Sequence, residues 1–387
     1  MSTSSRDERR ISVNREFSRP KVMWRVDARK WILVSLIVFG CMAAPIRVCA
    51  EFTWGVGTHL LEVEDNNLSY LPYIRAVGAS SYRDDLKWRA VESSKGKYIF
   101  PPRWDSFINS SLTQKLVPYL IIDYGNPIYR EPAKSRSPEP LQFPNELEAF
   151  AAYAQVAAAH FSGRVGWYEV WNEWSGSAAG YAEVVRRAAA NIRGEDHKAV
   201  VLAGGPGGAG LFKDEWLRKF SEAGGLHYVD GISIHPYVQC SPNSIAAFLS
   251  YLQQVRSAIA PNVPIYVSEV GWPTSNRGCG VPAPSVGKHM ADAYLISRCF
   301  PGVLGLWWYD LHDDGRDDTN PEDTFGLYRF DWTPKEASAI SARIGALNES
   351  IRCVRFSQES TNKMGYKMGT KTYKFEEMES ILLQSAK

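Results

Sequence analysis

Two stretches decide the reading of this chain: Gly166-Trp167-Tyr168-Glu169-Val170-Trp171-Asn172-Glu173-Trp174 and Ile265-Tyr266-Val267-Ser268-Glu269-Val270-Gly271-Trp272. Each is a short, largely apolar run that ends on a glutamate. Runs such as 117–122 and 200–203 are apolar at nearly every position, as expected of parallel strands covered on both faces. Working outward, eight such strands are expected at 52–57, 79–84, 116–124, 166–171, 199–204, 231–235, 265–269 and 304–309. Helical periodicity intervenes at 147–159, 181–192, 244–259 and 288–299, and a last helix is expected at about 334–347. Eight strand–helix units over residues 51–350 predict an α/β fold, a (β/α)8 TIM barrel in one domain. An open doubly wound sheet would carry a Gly-rich phosphate loop after its first strand, and Gly55-Val56-Gly57-Thr58 is too short for one. Residues 351–387 are Lys/Glu-rich and read as a polar C-terminal tail or short appendage, with a strand pair between 366 and 375.

In such a barrel the working residues sit at the C-terminal strand ends. Here those ends read Asn172-Glu173, His235-Pro236-Tyr237, Glu269-Val270-Gly271-Trp272 and Trp307-Trp308-Tyr309-Asp310. Glu173 and Glu269 are 96 positions apart, three strand–helix units of about 32 residues. Strands four and seven therefore put two carboxyls across one mouth. Glycoside cleavage needs such a pair, one to protonate the leaving oxygen and one to attack or to direct water.

Bulk properties narrow the class. The 387 residues carry a net charge of +2, but residues 1–50 hold ten Lys/Arg against four Asp/Glu, so the remainder stands at −4. No dense basic patch interleaved with aromatics appears in that remainder, which argues against nucleic acid as a partner. Thirteen Trp and nineteen Tyr suit the apolar faces of sugars as well as core packing. The basic start, the apolar run 31–44 and Val48-Cys49-Ala50 read as a signal peptide. Retained, the segment would be an N-terminal anchor; removed, it leaves a protein exported to the periplasm or beyond. Export also leaves four cysteines, enough for two disulfides in three connectivities. Cys240 and Cys279, beyond neighbouring strands six and seven, could tie two cleft loops. Seven scattered His without ligand spacing give no metal site, no G-x-S-x-G elbow appears, and no cofactor is implied. A monomer is expected.

Asn172-Glu173 after the fourth strand, with Glu269 ending the seventh, resembles the clan A glycoside hydrolases. The detail most resembles family 39 and the biofilm-polysaccharide endoglycosidases: Trp88-Arg89-Ala90-Val91-Glu92, Asp123-Tyr124-Gly125-Asn126-Pro127, and the segment from Trp308 to Gly315. The resemblance covers about residues 52–345. Trp174 departs from it, since many relatives have Pro there. It implies a retaining hydrolase of β-linked exopolysaccharide, with Glu173 as acid/base and Glu269 as nucleophile. An exo-acting glycosidase, a transglycosylase and a non-catalytic binding barrel are the alternatives.

Supporting roles follow. Arg83, His235 and Tyr237 would keep Glu269 ionised. Asn172 would bind the sugar 2-hydroxyl, and Tyr124, Trp272 and Trp308 would line the substrate site, Trp308 as the sugar platform. Glu173, buried among tryptophans, would stay protonated near neutrality.

Overall fold

Eight parallel strands close on themselves in chain order in the computed structural model, which describes residues 52–384 apart from 64–66, 131–139, 142–143 and 206–213. They are β1 (Thr53–Gly57), β2 (Ser81–Lys87), β3 (Val117–Asp123), β4 (Trp167–Val170), β5 (Val200–Ala203), β6 (Gly231–Ile234), β7 (Ile265–Val270) and β8 (Val303–Trp308), with β8 paired back onto β1. Helices including Pro144–Phe161, Ala178–Glu195, Ser244–Ala258, Ala283–Cys299 and Glu336–Leu347 cover the outside. The fold is a (β/α)8 barrel.

Strand alternation sorts the side chains. Tyr119, Leu202, Tyr266 and Trp307 meet inside the barrel as a cluster separate from the larger core between strands and helices. Trp307 fills that interior because its register partner on β1 is Gly55. A Cβ at position 55 would stand 2.2 Å from the Trp307 ring. The paired glycine is thus a packing requirement.

The stretch expected as a polar tail or short appendage is folded, and the strand pair expected between 366 and 375 forms. β9 (Ile351–Arg355), β10 (Gly365–Met368) and β11 (Lys371–Lys374) form an antiparallel sheet, followed by the helix Phe375–Leu383. Six of its apolar residues, Ile351, Met364, Tyr366, Phe375, Met378 and Leu382, are buried, while Val354 is exposed. Tyr366 donates a hydrogen bond to the Leu295 carbonyl at 3.0 Å, and a Cys299–Cys353 disulfide adds a covalent tie to the helix Ala283–Cys299. The export segment lies outside the described residues. Among those described, no helix is long and apolar enough to cross a membrane.

Candidate active site

The C-terminal mouth of the barrel holds a cavity of about 340 Å³ lined by Glu173, Glu269, Arg83, Asn172, Tyr124 and Tyr237, together with His59, Asp85, Gln239 and Tyr309. Local backbone irregularities aim the two glutamates into it. On β7, Tyr266 belongs to the barrel interior, and strict alternation would turn Glu269 outward. The β7–β8 register shifts between Val267 and Val270, and such a bulge re-aims the side chain that follows. At the end of β4, Trp171 and Glu173 both adopt left-handed φ, 68° and 52°. Residues other than glycine rarely sit there, and the reversal sends Trp171 into the core while Asn172 and Glu173 face the cavity.

Arg83 organises the nucleophile side. Its Nη1 donates to Glu269 Oε1 at 2.6 Å, its Nε to Glu169 Oε2 at 2.8 Å and its Nη2 to Asn172 Oδ1 at 2.9 Å. Glu169 was not singled out from sequence. It is fully buried beneath the site and also accepts from Tyr119 (2.8 Å) and Ser233 (2.7 Å). A lone acid at an inward position of an apolar strand was the available signal, because an unpaired buried charge is costly. Burial works against the Arg83 charge, but the carboxylates of Glu169 and Glu269 overcome it and hold the guanidinium firmly protonated. Tyr237 donates its hydroxyl to Glu269 Oε2 at 2.9 Å. Burial and the Glu269 charge push that phenol well up, so it stays a donor.

The acid side is built differently. Glu173 accepts from His235 Nδ1 at 3.0 Å, and its side chain is 39% exposed against 10% for Glu269. His235 thus bridges both acids, with Nδ1 also 3.5 Å from Glu269 Oε2. Carboxylate oxygens of Glu173 and Glu269 lie within 4.8 Å of each other. The expected pKa of Glu173 is corrected here. Burial raises it, yet the hydrogen bond and charge of His235, with Arg83 behind, bring it below the ordinary carboxylate value. His235 moves the other way: burial opposes its charge, and Glu269 and Glu173 raise it. Both shifts favour the proton on His235 over Glu173.

Two expected sugar contacts are also corrected. Trp308 and Trp272 are fully buried, stacked on each other at 5.8 Å, and Trp272 lies on His289 of the helix Ala283–Cys299 at 5.0 Å. Trp307 takes the inward position on β8, so its neighbour Trp308 must face the helices. The aromatic that reaches the cavity from this strand end is Tyr309. Tyr124 does line the cavity and accepts a hydrogen bond from Asn172 Nδ2 at 2.9 Å. Cys240 and Cys279 form a disulfide with Cα atoms 4.9 Å apart, which ties the loops after β6 and β7.

An acidic rim flanks the site on the β1, β2 and β8 side. His59, Asp310 and Asp314, and likewise His59, Glu62 and Asp85, bring donor atoms within 4.8 Å. Burial lowers His59, but Asp310, Asp85 and Asp314 outweigh it and raise the imidazole to about 9. Asp84 holds the loop that carries His59 by accepting from Thr58 Oγ1 (2.7 Å) and the backbone N–H groups of Leu60 (2.8 Å) and Leu61 (3.2 Å).

No protein-family model and no curated protein matches the sequence. Solved structures do match. A family 39 glycoside hydrolase from Bacteroides cellulosilyticus WH2 superimposes with a TM-score of 0.69 at 24% identity, over 83% of this chain and 69% of that one. A GH5_18 enzyme from Streptomyces cattleya, solved with GlcNAc, gives 0.63 at 18% identity over 81% and 83%. Xylanase 10B from Thermotoga petrophila RKU-1, solved with xylobiose, gives 0.56 at 15% over 78% and 95%. These neighbours are clan A glycoside hydrolases, and this chain has their fold.

Proposed function

We propose that the protein is a retaining hydrolase of β-linked polysaccharide, with Glu269 as nucleophile and Glu173 as acid/base. The separation of the two carboxyls carries the reading. Retaining enzymes place them about 5–5.5 Å apart, whereas inverting ones leave roughly 6.5–9.5 Å for a water. The nearest approach, a Glu173 oxygen within 4.8 Å of a Glu269 oxygen, favours the shorter class.

The surroundings divide the roles. Glu269 is buried and fixed by a guanidinium and a phenol, which favour an ionised, oriented attacking group. Glu173 is open to the leaving group and to water. In the first step a Glu269 oxygen attacks the anomeric carbon while Glu173, taking up the proton held with His235, transfers it to the departing glycosidic oxygen. The ester formed on Glu269 removes one negative charge from the site. Glu173 then accepts a proton from water, which attacks the same carbon and releases Glu269. Asn172, held by Arg83 and Tyr124, meets the sugar 2-hydroxyl, where a bond strengthens as positive charge develops.

Exopolysaccharide as substrate, cleavage within the chain and export through the N-terminal segment belong to the same proposal. They rest on the sequence resemblance and the basic–apolar leader. The test is incubation with a 2-deoxy-2-fluoro β-glycoside followed by peptide mass spectrometry, alongside NMR of the first-formed product on a natural β-glycan. A covalent sugar on Glu269 and a β product are expected. An α product, or an adduct elsewhere, overturns the mechanism. Cell fractionation checks export, and recovery in the cytoplasm would sink that part.

A further inference from the structure

A cavity of about 450 Å³ lies between the barrel wall and the C-terminal appendage. Its walls are the start of the helix Ser244–Ala258, the early turns of the helix Ala283–Cys299 and the first turns of the helix Phe375–Leu383. That volume falls within the roughly 300–1,000 Å³ of small-ligand sites. Among the described residues, none that lines it also lines the catalytic cavity.

Two residues of this wall keep a buried polar atom without a partner. Asp292 is 2% exposed, yet its Oδ1 makes no hydrogen bond, and neither does Nδ1 of His289. The other Asp292 oxygen, Oδ2, accepts from Lys288 Nζ at 2.9 Å, one helical turn away. The same ammonium donates to Glu379 Oε1 on the appendage helix. Lys288 therefore ties the appendage to the barrel but leaves half of the Asp292 carboxylate unmet. Buried acceptors are nearly always paired, because an unpaired one is costly.

The charge of the wall decides what would pair with it. Asp292, Glu376 and Glu379 stand against Lys288 alone, so the lining is acidic. His289 adds no positive charge at neutrality, since burial and Lys288 lower its pKa. Burial raises the Asp292 carboxyl, with Lys288 opposing and Glu379 adding, to about 7, and a cation at Oδ1 would keep it ionised. An anion is repelled here. A single metal ion fits poorly, because among the described residues these acids and the imidazole do not bring three donor atoms within 4.8 Å of one another. A quaternary ammonium needs an open aromatic face, and Phe375 is buried. A primary ammonium carries the N–H donors that the free oxygen lacks.

We propose that this cavity is a second binding site, which takes a small organic cation bearing a primary ammonium, with Asp292 Oδ1 as its acceptor and Pro242 and Ile245 along its apolar stem. A polyamine and an amine-bearing sugar both supply that chemistry. The inference does not depend on the hydrolase reading. An occupant touches barrel helices and appendage together, so it should hold the two in place.

The experiment titrates the full chain with putrescine, spermidine and a tetramer of β-1,4-linked glucosamine, read by calorimetry and thermal melting. Butane-1,4-diol and calcium chloride are the controls. At least one amine should bind, and at saturation it should raise the melting point by about 2 °C or more. Asp292→Asn should weaken that binding by about tenfold or more, as loss of a hydrogen bond to a charged group implies. Glu376→Gln, at an exposed position, should weaken it about threefold, and it keeps the test alive if the Asp292 variant does not fold. Binding of the free amines alone assigns a polyamine, and binding of the tetramer alone assigns an amine-bearing glycan. The catalytic mouth is acidic too, so unchanged binding in both folded variants places the cation there and overturns the site. An equal response to butane-1,4-diol or to calcium, or no binding of any amine, overturns it as well.

Discussion

The two walls of the catalytic cavity hold the same functional group in opposite ways. On the β7 wall, Glu269 is buried, and both its oxygens are engaged by donors, of which Arg83 is itself fixed from below by Glu169. On the β4 wall, Glu173 is more than a third exposed, sits on left-handed backbone and accepts a hydrogen bond from His235. A nucleophile gains from rigidity and permanent charge. An acid/base group must lose and regain a proton and meet both the leaving group and water. The contrast is a division of labour that single-residue changes can break.

The largest effect is expected at Glu269. Glu269→Gln should lower turnover by about 10⁵-fold or more, the scale seen when a nucleophile is lost, and azide should not restore the original product. Glu173→Ala should cost about 10²–10⁴-fold on poor leaving groups, the usual share of general acid–base catalysis. Activated aryl glycosides with azide should recover activity and yield a β-glycosyl azide. Equal losses in both variants, or rescue of neither, would erase the difference between the walls.

Next in size is the foundation of the nucleophile wall. Arg83→Met leaves Glu169 and Glu269 as buried acids without their cation, a change that costs about 3–5 kcal/mol. Urea unfolding should show that loss. Adding Glu169→Gln should recover part of the stability but none of the activity. If Arg83→Met unfolds at the wild-type denaturant midpoint, the guanidinium is not the anchor described.

A third change probes the acid wall by pH. The competent form holds one proton on the Glu173–His235 pair, so the kcat/KM profile reports the pair and not either residue. The second proton joins below the ordinary carboxylate value, because Glu173 is lowered. The last proton leaves above the ordinary imidazole value of 6.5, because His235 is raised. The alkaline limb should therefore lie above pH 6.5. In His235→Asn only Glu173 can hold the proton, and the limb should move toward the carboxylate range. An unmoved limb would show that His235 does not share the proton.

Much of this was legible in the sequence, and the rest had identifiable physical reasons for being hidden. The apolar runs and their spacing gave the barrel, and strand-end polarity singled out Glu173, Glu269, Arg83, His235 and Tyr237, all of which the structure brings to one site. Glu169 was hidden because its partners, Arg83, Tyr119 and Ser233, come from three other strands. The sign of the Glu173 shift was hidden because it depends on a 3.0 Å contact across two strands, not on the tryptophans beside it in the chain. Of the appendage, the strand pair between 366 and 375 was legible, whereas β9 and the helix Phe375–Leu383 were hidden because their buried apolar positions are scattered among charged ones.

The smallest effect concerns the β8 end, where period-two reasoning gives alternation but not depth. Trp307 lies inside the barrel opposite Gly55, which leaves Trp308 under a helix and Tyr309 at the cavity. Trp308→Phe should therefore act on stability, by about 1–3 kcal/mol for a trimmed core side chain, with kcat/KM on a short substrate nearly unchanged. Tyr309→Phe should do the reverse. It keeps the ring and loses a hydroxyl whose contacts to His59 and Asp314 are long, so the loss is about 1 kcal/mol, roughly fivefold in kcat/KM. Its melting temperature should stay near wild type. If Trp308→Phe raises KM while Tyr309→Phe does not, the sugar reaches deeper than this cavity, and the inward and outward assignments on β8 must be exchanged.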